Sequence, residues 1–320
     1  MRALRILALA AATAALCACA PSVATQPARA ADDPPARAPS PSPQTPAKPG
    51  TETPSAPTPA APETLHRKLK DGVTLTADLW RANGTEPDGT PHPLLVCFHA
   101  TRSSRGEYSL IAPEFVRRGF HVLAVDLRYG GEGEIGNRKT KERTGTRNET
   151  WSSALALLGR EPTAVEAYGD FPAILAWARE LYPKSKLGLV GSSYSASLVL
   201  VWGAEHPKSV DALYAFSPGE WIDGWSIAEK TKHLSVPCFF TCGSSGPDTE
   251  QAKKLLAKLE TRPTVYLPAD EGQDGLHGVG SLHMKFDAGR TELWHRLDAA
   301  LTWLRPSPSS PPSAPTPSPK

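Results

Sequence analysis

Between Glu63 and Arg305 the chain alternates short apolar runs with longer segments of mixed polarity. From Leu65, alternation around the Asp71-Gly72 turn predicts short strands, including one over Val73 to Arg81. Leu94 to His99 is a continuous apolar run of the kind expected in a strand covered on both faces. His121 to Leu127, Lys186 to Val190, Ala212 to Phe216, Pro237 to Cys242 and Thr264 to Leu267 also read as strands. Helical segments separate them: Pro113 to Arg118, which opens on proline, then 163 to 182, Tyr194 to Glu205, Thr249 to Glu260 and a last one near Leu282 to Leu304. Tyr129 to Pro162 reads as a long Gly-rich, charged connection. Strands and helices alternating at these lengths require crossovers. The predicted class is therefore α/β, a mostly parallel central sheet of about eight strands flanked by helices. The stretch from Glu220 to Val236 is too short for a large cap domain.

Proline placement sets the domain boundaries. Of 33 prolines, 13 fall between Pro21 and Pro62 and seven beyond Arg305. Both stretches are rich in Ala, Ser and Thr and poor in large apolar residues, so neither can bury enough surface to offset chain ordering. Residues 63–305 hold all eight Trp and form one domain with ample core. Residues 306–320 read as a disordered tail. Arg2 and Arg5 precede an apolar run, Ile6 to Ala18, that is too short to span a bilayer and has the form of a secretory signal over residues 1–18. Leu16-Cys17-Ala18-Cys19 resembles a bacterial lipobox with Cys19 as the lipidated residue, which would give stable membrane attachment. Residues 19–62 would then be a tether of polyproline character, up to roughly 130 Å long at ~3.1 Å per residue. The expected location is the bacterial cell envelope. Ala20, in place of an Asp after the cysteine, points to the outer membrane in a Gram-negative source.

The whole chain carries a net charge of +2. Without the two tails the domain is close to neutral, so its charge names no partner. The run Arg138, Lys139, Lys141, Arg143 and Arg147 is interrupted by Glu142 and has no interleaved aromatic residues. It reads as a solvated loop, and nucleic acid is not an expected partner. Cys97, Cys238 and Cys242 are odd in number, and each lies in or beside an apolar strand, so they read as buried thiols. No metal site or organic cofactor is implied.

The stretch from Leu187 to Ala196 carries the chemistry. A buried strand ends in Gly191-Ser192-Ser193-Tyr194-Ser195 and passes directly into a helix, the setting of a nucleophile elbow. Small residues are required at 191 and 195 because the sharp turn brings backbone close, and Ser193 is left at the helix N-terminus, where developing negative charge is favoured. A serine is a weak nucleophile, so a base and a group orienting that base are required. His277, flanked by glycine in a loop after the last strand, is the candidate base, with His283 as its rival. Asp248, after the Pro237 to Cys242 strand, is the candidate acid. Glu250 is the alternative, and Glu220 and Asp223 are further ones.

Together with the elbow, Phe98-His99-Ala100-Thr101, Asp126-Leu127-Arg128-Tyr129-Gly130-Gly131, Phe216-Ser217-Pro218-Gly219-Glu220 and Leu276-His277-Gly278 make residues 63–305 resemble the α/β-hydrolase superfamily. The resemblance is to its dienelactone-hydrolase-like and prolyl-oligopeptidase-like branches of exported bacterial serine hydrolases. It implies the order Ser193, then an acid, then His277, without settling the acid between Asp248 and Glu250, and an oxyanion hole made by the N–H groups of Tyr194 and Thr101, with Ala100 as the alternative to Thr101. His99 is expected to brace its loop. Ser at 193 replaces the cysteine of dienelactone hydrolases, so that activity does not carry over. Arg105, Glu107 and Tyr108 are candidates to line the entrance. The expected function is a lipid-anchored serine hydrolase cleaving a small carboxylic ester. Alternatives are a small-peptide or amide hydrolase of the same mechanism, or a catalytically silent fold used as a tethered envelope-binding module.

Overall fold

The computed structural model describes residues 61–305, apart from 87, 132–145 and 284–286. The signal segment, Cys19, the tether up to residue 60, the C-terminal tail and Arg138, Lys139, Lys141 and Arg143 lie outside the described residues. Eight strands form one sheet: β1 (Glu63–Lys68), β2 (Thr74–Trp80), β3 (Leu94–Phe98), β4 (His121–Val125), β5 (Leu187–Ser192), β6 (Ala212–Phe216), β7 (Cys238–Thr241) and β8 (Thr264–Tyr266). Their order is β1-β2-β4-β3-β5-β6-β7-β8. β2 runs antiparallel to β1 and β4, and every pairing from β4 through β3 to β8 is parallel.

The continuous apolar runs occupy the middle of the sheet because helices cover both of its faces. Leu94, Val96 and Phe98 enter one core layer, while Leu95 and Cys97 enter the other. The first layer packs against α3 (Ala164–Gly169), α4 (Phe171–Leu181), α5 (Tyr194–Glu205), α6 (Ile227–Lys230) and α7 (Gly246–Leu256). The second packs against α1 (Ala112–Arg117) and α8 (Asp287–Leu301). The outer strand β1 alternates exposed and half-buried positions, as suits an edge carrying Glu63, Arg67 and Lys68.

Several local expectations change. The connection from Tyr129 to Pro162 contains a helix, Glu149–Leu158, hereafter α2. Asn148 caps its start by accepting the Trp151 N–H at 2.7 Å, and Gly159 ends it at φ 65°. The segment 163 to 182 is two helices, broken at Asp170 because Pro172 cannot continue the hydrogen-bond ladder of the preceding turn. α7 begins three residues earlier than expected, since Ser245 provides a side-chain cap and Pro247 suits the first turn. His283 does not begin the last helix; it follows the 3₁₀ turn Gly278–Leu282. Among the described residues, the only helix between β6 and β7 is the short α6, and no cap domain intervenes.

Candidate active site

Parallel pairing aligns the C-terminal ends of the strands, where binding sites of open α/β sheets form. Phe98 sits beside Gly191, and Ser192 beside Phe216, which in turn pairs with Thr241. The next residues on these strands therefore gather along one edge. β5 turns into α5 at Ser193, whose backbone is held at φ 61°, ψ −123°, a conformation that non-glycine residues rarely adopt. The turn is tight enough that a Cβ on Gly191 would lie 2.5 Å from the Ala196 Cα. The Ser193 side chain makes no capping bond to the helix it starts. The Tyr194 N–H belongs to the first turn, where donors have no intrahelical acceptor.

The neighbouring serines are committed elsewhere. Ser195, standing where a second glycine is usual, accepts the Ser192 N–H at 2.9 Å and its hydroxyl reaches Phe98 O at 2.8 Å. Ser192 donates to Glu107 Oε1 at 2.8 Å and accepts the Val279 N–H at 3.1 Å. Both are fully buried.

Asp248 is the third residue of α7, and its own N–H is received by the Ser245 hydroxyl at 3.4 Å. Its Oδ1 lies 2.6 Å from His277 Nδ1. Its Oδ2 accepts the Gly243 N–H at 2.9 Å and the Ser217 hydroxyl at 3.1 Å. A buried carboxylate accepting these bonds places the His277 proton on Nδ1 and leaves Nε2 free to act as a base. The imidazole is half-exposed and meets the Trp221 ring edge-on at 6.0 Å. Behind it, Gly278 at φ 69° presses on Ser192: a Cβ there would lie 2.4 Å from Ser192 Oγ.

The remaining candidates separate from this cluster. Glu250 is exposed on α7. Glu220 accepts the N–H groups of Ile227 and Ala228 and so caps α6, and Asp223 is exposed. His283 is buried beyond the 3₁₀ turn. In the loop after β3, the Ala100 N–H is already donated to Glu107 Oε2 at 2.6 Å, whereas Thr101 is exposed. His99 braces this loop: Nδ1 donates to Ala100 O at 2.8 Å, and Nε2 accepts the Leu127 N–H at 2.9 Å.

Arg105 and Tyr108 are buried and do not line an entrance, whereas Glu107 is half-buried. Arg105 is buried in an ion-pair network with Asp126 and Asp78, and the Tyr108 hydroxyl donates to Phe98 O at 2.8 Å. Burial pushes the Glu107 carboxyl above the usual carboxylate range, against the opposing pull of the Ala100 N–H, the Ser192 hydroxyl and His277. Cys97, Cys238 and Cys242 are free and buried, and burial pushes all three thiols up, the last two to about 12. Ser217, which bonds Asp248 and Gly278, is a member of this cluster that sequence reasoning misses. It is fully buried and held at φ 56°, and its only local signal is its place in the Phe216 to Glu220 motif.

Residues 93–236 match the family described as alpha/beta hydrolase fold. Among solved structures the chain is similar to an esterase from Pyrococcus furiosus, at 15% identity over 75% of this chain and 89% of that one, with a TM-score of 0.51. A dienelactone hydrolase from Anabaena variabilis is similar at 16% identity over 77% and 100%, with a TM-score of 0.54. An acylaminoacyl peptidase from Pyrococcus horikoshii is similar at 14% identity over 76% of this chain and 41% of that one, with a TM-score of 0.50. No curated protein matches the sequence. At these identities the likeness is one of fold. Taken with the family match over residues 93–236, the eight-stranded sheet and the strand-to-helix turn at Ser193, it shows that the chain has the α/β-hydrolase fold.

Proposed function

We propose that the protein is a serine hydrolase that cleaves small carboxylic esters through an acyl-enzyme. What supports this reading is a strained Ser193 at the head of α5 together with, at the same end of the sheet, a His277 whose Nδ1 lies 2.6 Å from a buried Asp248. In this reading Ser193 Oγ attacks the acyl carbon as its proton passes to His277 Nε2. The tetrahedral oxyanion is held by the N–H groups of Tyr194 and Thr101, Ala100 being occupied by Glu107. The C–O bond to the alcohol then breaks, and the imidazolium returns the proton to the leaving oxygen. Water, deprotonated by His277, attacks the acyl carbon and releases the acid and free Ser193. Asp248 keeps the imidazole in the required tautomer and stabilises its charged form. An ester is preferred to an amide because none of the described residues between β6 and β7 forms a cap to select peptides.

Signal cleavage before Cys19 and its acylation would tether this domain to the cell envelope. The N-terminal peptide of the envelope-purified chain should then begin at Cys19 and carry acyl mass; any other start removes the anchor.

The enzymatic reading is tested with a fluorophosphonate probe and p-nitrophenyl acetate and butyrate on the purified full chain. Labelling and turnover are expected in the wild type and lost in Ser193→Ala. Asp248→Asn should lose on the order of 10⁴ in turnover, while Glu250→Gln should stay near wild type. A folded wild-type chain that neither labels nor turns over would leave a binding module as the better account.

A further inference from the structure

Glu107 is bonded to two loops of the site, yet the mechanism above does not use it. It lies on the 3₁₀ turn Arg105–Tyr108, which its neighbours fix from both sides through the Arg105 ion pairs and the Tyr108 hydroxyl. One carboxylate oxygen accepts the Ala100 N–H of the oxyanion loop, and the other accepts the Ser192 hydroxyl of the elbow. Ser192 Oγ in turn accepts the N–H of Val279, two residues after His277, and Gly278 is packed against the same oxygen. Three loops that are distant in sequence are thus linked through Glu107 and Ser192.

Resting on the serine-hydrolase reading, we propose that Glu107 is a positioning residue for that reaction. It clamps the oxyanion loop and the elbow together directly and, through the Ser192 hydroxyl, ties the histidine loop to them. The charge of Arg105 is taken up by Asp126, Asp78 and Glu149 rather than by Glu107.

The test is the steady-state hydrolysis of p-nitrophenyl acetate by Glu107→Gln, which keeps the shape of the side chain but has one acceptor oxygen in place of two. kcat should fall on the order of tenfold, with KM little changed. A role confined to packing would lower stability and leave the kcat of the folded enzyme at the wild-type value, and that outcome overturns the proposal. Ser192→Ala keeps Glu107 and removes the link to Val279. It should lower kcat with KM little changed, and wild-type kcat in this variant overturns the clamp even if Glu107→Gln fails to fold. Fluorophosphonate labelling of wild-type Ser193 is run in parallel. Its failure rejects the serine-hydrolase reading, whereas normal labelling with wild-type kcat in the variants rejects only the positioning role of Glu107.

Discussion

The hydroxyl of Ser217 donates to Asp248 Oδ2 at 3.1 Å and accepts the N–H of Gly278 at 2.8 Å, so one oxygen joins the acid to the residue after the candidate base. It also accepts the Gly243 N–H at 3.2 Å, a donor that Asp248 Oδ2 shares. Ser217→Ala should therefore orphan the buried Gly278 N–H and remove a donor from the carboxylate, at a cost of about 1–3 kcal/mol. Ser217→Gly loses the same bonds but relieves the positive φ, so its urea midpoint should lie above that of the alanine variant. Both should show similarly reduced kcat with nearly unchanged KM. Full turnover in either variant would mean that the hydroxyl does not position His277.

Two glycines offer a contrast between fold and function. A Cβ at Gly191 meets backbone atoms of Ala196 and Ser195 at 2.5–2.6 Å, which no rotamer change can relieve. Gly191→Ala should cost about 3 kcal/mol or more and yield little folded protein. At Gly278 the obstruction is the Ser192 side chain, added to a backbone at φ 69°. Gly278→Ala should fold, losing about 1–2 kcal/mol to the left-handed conformation, but with His277 displaced and turnover lowered. Thermal unfolding and steady-state kinetics on the two variants check the pair; a Gly191→Ala chain as stable as wild type would contradict the elbow packing.

The central strands and α5 are legible in the sequence because a segment buried on both faces must be apolar throughout. α2 is hidden by its charged, Gly-rich surroundings, although Asn148 and Gly159 are available as cap signals. Pro172 is likewise a sign that one helix is two, masked by the apolar periodicity around it. Ser193 can be read from sequence because its turn is local. Glu107 and Ser217 cannot, since their partners are long-range: Ser192 is 85 residues from Glu107, and Gly278 is 61 from Ser217. The choice between Thr101 and Ala100 also needs such a contact, because Glu107 is what occupies the Ala100 N–H.

Arg105 anchors the turn that carries Glu107. Its guanidinium pairs with Asp126 at 2.6 Å and Glu149 at 2.7 Å, and its Nε sits 3.0 Å from Asp78 without the N–H aimed along that line. Asp126 is fully buried, so Arg105→Ala leaves an uncompensated charge and should cost about 3–5 kcal/mol in chemical denaturation. Arg105→Lys should recover little, since one ammonium cannot span three carboxylates. Near-wild-type stability in the lysine variant would show that the fork geometry is dispensable.

His99 gives the fold a defined acid sensitivity. Burial, offset by its bond to Ala100 O and assisted by the charge of Arg105, holds the imidazole down to about 4. Its Nε2 already accepts the Leu127 N–H at 2.9 Å, with Asn148 Nδ2 at 3.1 Å, and a proton there would face both donors. The native pKa is thus depressed below that of the unfolded chain, near 6.5. Between these values the unfolded state binds a proton that the native state does not, so stability is full above pH ~6.5 and falls as pH drops towards ~4. The full effect is about 3 kcal/mol at most. His121, also held down to about 4 chiefly by burial, titrates in the same window. In urea unfolding from pH 7 to 4, His99→Gln should start less stable and decline less steeply than wild type. Parallel declines in the two proteins would mean that His99 takes up its proton in the native state as readily as in the unfolded one.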